Sequence, residues 1–407
     1  MIPKENHLGV SVNATALEYT PVSNNAFDDN NSFESDLNFG RSSQSLSNED
    51  ELLAANKNPN PNPIFSDAAT VADFNGDGKT DKFWRNAQTG ETAVWLMDGV
   101  NQNASFLKEV DTSWDFAFAD FNNDNRTDIF WRNKNTGENV IWQMDGTNIS
   151  SEESVSRIDS GWTFSIADFN GDNKSDIFWR NTQTSENATW IMDGKNVTSA
   201  AFLPSTDSTW DYSIVAFNSD GKTDFFWRNR VTGENAAWLM DGTNANGFSI
   251  TEIETSWSPI FGDFNGDSRT DILWSNQESG ENSVWITNGT LFNDILFSEA
   301  TLSQLSSDWE ADIGDFNGDG RTDVFWRNSL TGENTAWLMD GGEISTKAFL
   351  PYNDLSWEPI VGDYTGDGKT DVFWRNNTTG ENAIWTMNGT IAEGEYLPNF
   401  ESGWYAF

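Results

Sequence analysis

The sequence predicts an all-β fold, a seven-bladed β-propeller built from four-stranded antiparallel blades. Two observations lead to this prediction: a unit of roughly 48 residues recurs seven times, and the tryptophans stand in fixed register with it. Each unit contains the motif D-x-N-G-D-G-x-T-D or a close variant, and position 1 of this motif serves as its anchor. The anchors are Asp73, Asp120, Asp168, Ala216, Asp263, Asp315 and Asp363.

All 21 tryptophans fall into three columns, which lie 11 residues after the anchor, 22 residues after it and six residues before it. The first unit carries Asp67 where the others carry the leading tryptophan, and the missing member is Trp404 near the C-terminus. This displacement predicts that the C-terminal strand completes the first blade and closes the ring, which removes exposed sheet edges. Residues 66–72 also resemble a leading strand, and the sequence leaves open how the two segments share that place.

The third unit illustrates the four predicted strands. Residues 162–167 alternate in polarity and predict the first strand, and residues 168–173 are too rich in turn formers to continue it. The second strand, residues 175–180, carries large side chains on both faces, which indicates burial on both sides. A hairpin turn at residues 181–186 leads to the third strand at 187–192, and a weaker segment through Phe202 and Leu203 predicts the outer strand.

The repeated motif places oxygen donors at positions 1, 3, 5 and 9, with position 7 contributing its backbone carbonyl. Alternating oxygens in a tight loop suit calcium, which takes about 6–8 oxygen ligands. Position 6 requires a positive φ, for which Ser268 is the weakest fit. An EF-hand would need a glutamate at position 12 and a following helix, whereas position 12 here is the first tryptophan column.

The sequence therefore predicts about five to seven structural calcium sites. Position 7 is Lys79, Arg126, Lys174, Arg269, Arg321 or Lys369. Five units have complete side-chain donor sets: Asp73, Asn75, Asp77 and Asp81; Asp120, Asn122, Asp124 and Asp128; Asp168, Asn170, Asp172 and Asp176; Asp263, Asn265, Asp267 and Asp271; Asp315, Asn317, Asp319 and Asp323.

Two units depart from the pattern. Unit seven keeps Asp363, Asp367 and Asp371 but has Thr365 at position 3. Unit four has lost position 1 to Ala216, so Asn218, Asp220 and Asp224 predict a weak or empty site. The alternative for every unit is a loop that caps its own backbone without a metal. Calcium is favoured over that alternative, since crowded carboxylates repel one another unless a cation neutralises them.

Composition excludes several classes of function. The net charge of −41 argues against nucleic acid as a partner. The chain has no cysteine, and its one histidine is His7, so thiolate, serine–histidine and histidine–zinc chemistry are excluded. No apolar run is long enough to cross a bilayer, and the expected protein is a monomer without membrane insertion.

Residues 1–62 predict a disordered polar leader that ends in an Asn/Pro linker, and the propeller is expected at 63–407. No standard secretory signal is visible. Calcium sites of this kind are filled where calcium is millimolar, however, which favours an extracellular or cell-surface location.

With these loops, the chain resembles the FG-GAP/VCBS repeat family, whose blades carry D-x-[ND]-G-D-G-x-x-D, and it shares the architecture of integrin-α propellers and fungal propeller lectins. The resemblance covers residues 63–407 and implies a propeller with structural calcium. That family spans adhesion, glycan binding and accessory domains of enzymes, so the fold alone does not decide the function.

The leading functional hypothesis is a non-catalytic, calcium-binding module that recognises a glycan or a cell-surface protein. The alternative is a calcium-dependent polysaccharide-active enzyme or an accessory domain of one. Its residues should lie outside the repeat register, in the connection 293–307 or in unit four, with Asp294 and Asp308 as the acids to test.

Two repeated features have both a structural and a functional reading. The tryptophans could stack on sugars, but packing between blades is favoured because every blade carries them. Arg85 and Glu91, with their equivalents, flank the hairpin turn. The sequence favours an ion pair for them, with direct ligand contact as the alternative.

Overall fold

The computed structural model describes residues 72–290 and 295–407, which form seven four-stranded antiparallel sheets. No helix occurs in these two ranges. The predicted leader and linker, and residues 63–71 of the predicted propeller, lie outside the described residues. The all-β prediction and the number of blades are confirmed.

The 28 strands follow one another without other regular structure in the described part of the chain. In chain order they are β1 (Lys82–Asn86), β2 (Thr92–Asp98), β3 (Asn101–Phe106), β4 (Trp114–Ala119), β5 (Asp128–Asn133), β6 (Asn139–Asp145), β7 (Asn148–Val155), β8 (Thr163–Ala167), β9 (Asp176–Asn181), β10 (Glu186–Asp193), β11 (Asn196–Leu203), β12 (Trp210–Val215), β13 (Asp224–Asn229), β14 (Asn235–Asp241), β15 (Asn244–Ile250), β16 (Trp257–Gly262), β17 (Asp271–Asn276), β18 (Asn282–Thr290), β19 (Ile295–Thr301), β20 (Trp309–Gly314), β21 (Asp323–Asn328), β22 (Asn334–Asp340), β23 (Glu343–Leu350), β24 (Trp357–Gly362), β25 (Asp371–Asn376), β26 (Asn382–Asn388), β27 (Ile391–Leu397) and β28 (Trp404–Ala406).

Blade 1 consists of β28, β1, β2 and β3, and blades 2 to 7 each take the next four consecutive strands from β4 to β27. In every blade the second strand is buried along nearly its whole length, whereas the fourth strand is mostly exposed or half-buried. Consecutive side chains of the second strand pack against opposite neighbours: Phe130 contacts the ring of Trp179 in the next blade, and Trp131 contacts Phe83 in the previous one. The apolar core therefore lies between the blades.

The C-terminal strand closes the ring, as the displaced tryptophan predicts. Strand β28 pairs antiparallel with β1 and places Trp404 opposite Asn86. The pairing is extended by two backbone hydrogen bonds between Phe83 and Phe407, at 3.2 and 2.9 Å. Strand β28 is therefore the first strand of blade 1.

The one long spacing between units is accommodated in blade 5. Its third strand, β18, runs on to Thr290, and the register with β19 shifts between Thr287 and Thr290. The fourth strand of this blade begins at Ile295, and residues 291–294 between the two strands lie outside the described residues. The added length therefore lies after Trp285, the second tryptophan of this unit.

Glycine in the hairpin between the second and third strands has a steric cause. Gly90 has φ +80°, and a Cβ added there would lie 2.1 Å from the carbonyl oxygen of Val110. That carbonyl belongs to the connection to blade 2, and the Val110 amide donates to the Gly90 carbonyl at 2.9 Å. The turn and the connection therefore pack too closely for a side chain at this position.

Candidate functional site

The calcium-loop motif forms the connection between the first and second strands of each blade, beginning with residues 73–81. Positions 4 and 6 of every loop adopt positive φ, and Ser268 does so at +65° despite being the poorest fit by sequence. The prediction for position 6 is confirmed. Position 4 was not predicted, although the glycine that most units carry there was a signal.

The carboxylate at position 1 caps the loop from inside. In blade 1, Asp73 Oδ1 accepts hydrogen bonds from the amides of Gly76 and Asp77 at 2.7 and 3.2 Å, and Oδ2 accepts from Gly78 at 2.8 Å. Asn75 Oδ1 accepts from the Asp77 amide at 2.9 Å, while its Nδ2 donates to Asp77 Oδ2 at 3.1 Å. These side chains hold the backbone in its tight turn, which is the self-capping that the alternative reading expects.

The carboxylate at position 9 is buried and ties the loop to the third strand. Asp81 is 1% exposed; its Oδ2 accepts from the amide of Phe74, and its Oδ1 accepts from that of Met97, both at 2.8 Å. Burial raises the pKa of Asp81 to about 7, against the two hydrogen bonds and together with the charges of Asp73 and Asp77. The same burial raises the pKa of Asp271 to about 8 and that of Asp371 to about 6.

The donor chemistry of the loops fits a hard cation. Apart from the Thr365 hydroxyl, the side-chain donors are carboxylate or amide oxygens, and an oxygen that accepts one backbone hydrogen bond keeps a second lone pair. Within residues 72–290 and 295–407, however, no three Asp, Glu or His side chains converge into a metal-binding group. The loops bring the predicted donors onto one short segment but do not gather their carboxylates around a point, so calcium remains a prediction.

The two departing loops lose part of this capping. In blade 4, Ala216 offers no carboxylate, and the hydroxyl of Ser219 instead donates to the Ser268 carbonyl of the next blade at 3.2 Å. In blade 7, the Thr365 hydroxyl lies 3.4 Å from Asp363 Oδ1, and the Asp367 amide is left with a 3.3 Å hydrogen bond to that oxygen.

Position 8 links the loops of neighbouring blades, a role that sequence reasoning missed. Its amide donates at 2.7–2.8 Å to the position-1 carbonyl of the preceding blade. The seven pairs are Thr80 with Asp363, Thr127 with Asp73, Ser175 with Asp120, Thr223 with Asp168, Thr270 with Ala216, Thr322 with Asp263 and Thr370 with Asp315. These bonds form a closed ring, and the repeated Thr or Ser in the motif was its signal.

The arginines at the end of the second strand do not form the expected ion pairs, and that prediction is wrong. The Arg85 guanidinium, 1% exposed, donates to the carbonyls of Asp111 and Trp114 at 2.9 and 2.6 Å. It also lies 5.1 Å from the centroid of the Trp131 ring in the next blade. Glu91 instead accepts from the Thr89 hydroxyl at 2.9 Å. Carbonyls of the inter-blade connection accept from both Nη atoms and an aromatic ring covers the group, whereas Nε has no partner among the described residues.

The tryptophan columns divide into two kinds. The columns at 11 and 22 residues after the anchor are buried, and their rings contact one another within each blade, as Trp84 and Trp95 do at 4.7 Å. Their interpretation as packing is confirmed. The column six before the anchor is half-buried in blades 2 to 7, whereas Trp404 is 6% exposed.

Exposed aromatic side chains lie beside this half-buried column on the fourth strands. We call Phe106, Phe202, Phe349 and Tyr396 the rim aromatics; their exposed fractions are 66, 62, 73 and 77%. Each faces the leading tryptophan of its own blade at centroid distances of 5.8–6.4 Å, in the pairs Phe106 with Trp404, Phe202 with Trp162, Phe349 with Trp309, and Tyr396 with Trp357. Blade 2 carries Ser154 at the equivalent position of its strand pairing.

A groove between blades 1 and 2 joins this column to charged groups. Trp114, Trp131 and Trp142 line it. Lys108 and Glu152 form an ion pair across it at 2.8 Å. The groove thus combines aromatic surface with groups that donate and accept hydrogen bonds.

The two acids proposed for an enzyme differ in what the structure says of them. Asp294 lies outside the described residues. Asp308 caps a turn: its Oδ2 accepts from the Ser306 hydroxyl at 3.3 Å, and its carbonyl accepts from the amide of Ser329 at 2.8 Å.

No helix in the described ranges is long and apolar enough to span a membrane.

Blade 1 also carries a buried lysine that sequence reasoning missed. Lys82 is 1% exposed, and its Nζ lies 4.8 Å from the centroid of Tyr364 and 5.2 Å from that of Phe373 in blade 7. Burial lowers its pKa to about 7. The other blades have Ile129, Ile177, Phe225, Ile272, Val324 and Val372 at this position, and that contrast was the available signal.

A family model described as FG-GAP-like repeat matches residues 73–131, 120–179, 217–274, 263–326 and 315–374, which together make up more than half of the chain. The chain belongs to the FG-GAP-like repeat family. The matched stretches run from one loop to the first buried tryptophan of the next blade, so this FG-GAP propeller is recognised by its loops and its inter-blade core.

No curated protein matches the sequence. Among solved structures, the FG-GAP propeller is similar to a functionally unknown protein from Desulfotomaculum acetoxidans, with 10% identity, coverage of 80% of this chain and 98% of that one, and a TM-score of 0.48. It is also similar to the Cps50 (Swd1) β-propeller domain of Myceliophteria thermophila, with 11% identity, coverage of 79% and 97%, and a TM-score of 0.48. At such identities the likeness concerns the fold alone.

Proposed function

We propose that this FG-GAP propeller is a calcium-binding, non-catalytic module that recognises a glycan or a protein ligand at or outside the cell surface. The observation that carries the proposal is the set of rim aromatics, four exposed rings that each face the leading tryptophan of their own blade. Exposed aromatic surface that the fold does not use for packing supports a role in contacts with a partner.

Glycans are favoured because the pairs repeat around the ring. A flat aromatic ring offers an apolar face to the C–H groups of a sugar, and one such contact is weak. Repetition on blades 1, 3, 6 and 7 lets several weak contacts act together on a branched or polymeric ligand. A protein ligand is the other outcome that exposed aromatic surface supports.

Calcium would stabilise the ring rather than take part in a reaction. Positions 1, 3, 5 and 9 and the carbonyl of position 7 would hold it, and it would supply the positive charge that offsets the neighbouring carboxylates. In every blade the position-9 carboxylate accepts backbone amides of the loop and the third strand, as in Asp81, Asp128 and Asp371. Both oxygens of these carboxylates already accept hydrogen bonds from the backbone, which supports a structural and non-catalytic role.

A glycan array probed with and without a calcium chelator tests the proposal. The expected result is binding to a defined set of glycans that weakens when the rim aromatics are changed to alanine. Val231→Ala and Leu330→Ala provide the control, since these side chains are as exposed, at 67 and 68%, but lie on the hairpin between the second and third strands. Silence on the array would shift the proposal to a protein ligand. Turnover of any member of a polysaccharide panel would overturn the non-catalytic assignment and favour the enzyme.

A further inference from the structure

In five of the seven blades, the side chain at position 7 of the loop forms an ion pair with the aspartate that ends the third strand. Each is a Lys or Arg that reaches an Asp 19 residues later. The pairs are Lys79 with Asp98 at 2.8 Å, Arg126 with Asp145 at 3.3 Å, Lys174 with Asp193 at 2.5 Å, Lys222 with Asp241 at 2.6 Å, and Arg321 with Asp340 at 3.2 Å. We call these five acids the tether aspartates.

Blades 5 and 7 lack the tether aspartate and carry Asn288 and Asn388 in its place. In both blades the position-7 cation turns back onto its own loop. Arg269 Nη1 lies 2.7 Å from Asp267 Oδ2, and Lys369 Nζ lies 3.0 Å from Asp367 Oδ2. The cation therefore lies closest to its own position-5 carboxylate in the two blades that lack the tether aspartate.

The cations that contact a tether aspartate also differ in their distance from the position-5 carboxylate of their own loop. Lys79 stays 3.8 Å from Asp77, and Arg321 stays 3.5 Å from Asp319, while each also contacts its tether aspartate. In blades 2 and 3 the cation pairs with the tether aspartate alone among the described residues. The position-7 cation thus contacts only the tether aspartate, both that aspartate and the position-5 carboxylate, or only the position-5 carboxylate.

We infer that the tether aspartates set the calcium affinity of their loops by holding the position-7 cation away from the position-5 carboxylate. The inference rests on the proposed calcium binding. A cation in contact with Asp267 or Asp367 neutralises an oxygen that the metal needs, and it repels a second positive charge. Blades 2 and 3 therefore bind calcium most tightly, blades 1 and 6 less tightly, and blades 5 and 7 least among the loops with a position-1 aspartate. Because the groups are partly exposed, each tether changes the dissociation constant by about threefold to fivefold.

A site-resolved calcium titration of the full chain, followed by hydrogen exchange and mass spectrometry, measures each loop separately. In the unaltered protein, amides of residues 168–176 are expected to become protected at lower calcium concentrations than those of 363–371. Asn388→Asp supplies the missing tether and should tighten the blade 7 loop by about threefold to fivefold. Lys369→Met removes the cation and should tighten it similarly.

The reverse change in blade 3 provides a matched test. Asp193→Asn should weaken the loop at 168–176, and adding Lys174→Met to that variant should restore its affinity. Loss without restoration would mean that Asp193 acts directly on the metal, which would overturn the inference. So would unchanged affinity in both Asn388→Asp and Lys369→Met. Absence of calcium protection in every loop would instead contradict the proposed calcium binding, so the two failures are distinguishable. Melting temperatures without calcium establish that each variant folds.

Discussion

The guanidinium of Arg375 lies 5.0 Å from the ring centroid of Trp84, so blade 7 contacts blade 1 through a cation–π interaction. The same guanidinium donates to the carbonyl of Trp404 in the closing strand at 3.1 Å. The contact repeats those between other neighbouring blades, such as Arg132 with Trp179 and Arg228 with Trp274 at 4.8 and 5.0 Å. Closure of the ring therefore uses the ordinary inter-blade contact together with the one added strand.

Deleting residues 403–407 should lower the melting temperature by on the order of 10 °C. The deletion removes the pairing of β28 with β1 and leaves a cavity where the buried Trp404 side chain packs. Calorimetry of the full and shortened chains measures the effect. Trp404→Ala should cost more than Trp357→Ala, because Trp357 stands in the same column but is half-buried. An unchanged melting temperature after the deletion would contradict the role of β28.

Replacing Ser275 by arginine should stabilise the protein. Blade 5 is the one blade without the arginine, and Oδ1 of its buried Asn282 has no hydrogen-bond partner among the described residues. In blade 4, Arg228 Nη1 donates to the corresponding Asn235 Oδ1 at 2.9 Å. An arginine at 275 would supply that bond and a face-on contact with Trp326, for a gain of about 1 kcal/mol.

Chemical denaturation measures this gain, and Ser275→Met is the control for added volume without donors. If the methionine stabilises as much as the arginine, the hydrogen bond and the cation contact are not the cause.

The ring can be predicted from the sequence because the repeat period and the displaced tryptophan are both visible in the order of the residues. The position of Trp404 identifies the strand that completes blade 1, and the register of the tryptophan columns identifies the buried faces. The partners of Arg85 could not be predicted in this way. They are backbone carbonyls at Asp111 and Trp114, which carry no sequence signature, so the nearby Glu91 was the only visible candidate.

The loop shows the same limit. Its oxygen donors follow from the motif, and positive φ at position 6 follows from glycine. The direction of the position-7 side chain depends on an acid 19 residues away, such as Asp98 for Lys79. The hydrogen bond of Thr127 to Asp73 joins two blades and emerges only once the ring is assembled.

Stabilisation by calcium should grow as the pH rises from 5 to 8. Without a metal, burial holds the pKa of Asp128 and Asp176 at about 7, above the ordinary 3.8. Their contribution to stability is therefore complete below about pH 4 and is lost as the pH rises through 7, when ionised carboxylates must stay buried. A bound cation offsets that loss.

Melting temperatures with and without calcium at pH 5, 6, 7 and 8 test this expectation, with protein decalcified on a chelating resin and ionic strength held by sodium chloride. An equal calcium effect at all four values would contradict it.

Lys82 occupies a core position between Tyr364 and Phe373, where six blades have an apolar side chain. Burying an ammonium group costs free energy that the aromatic faces offset only in part. Lys82→Met should therefore raise the free energy of unfolding by about 1 kcal/mol or more. The matched change is Val372→Lys, which introduces the same charge at the equivalent position of blade 7 and should destabilise. Urea denaturation at pH 7 measures both. If Lys82→Met destabilises the protein, the ammonium group holds the seam between blades 7 and 1 together rather than weakening it.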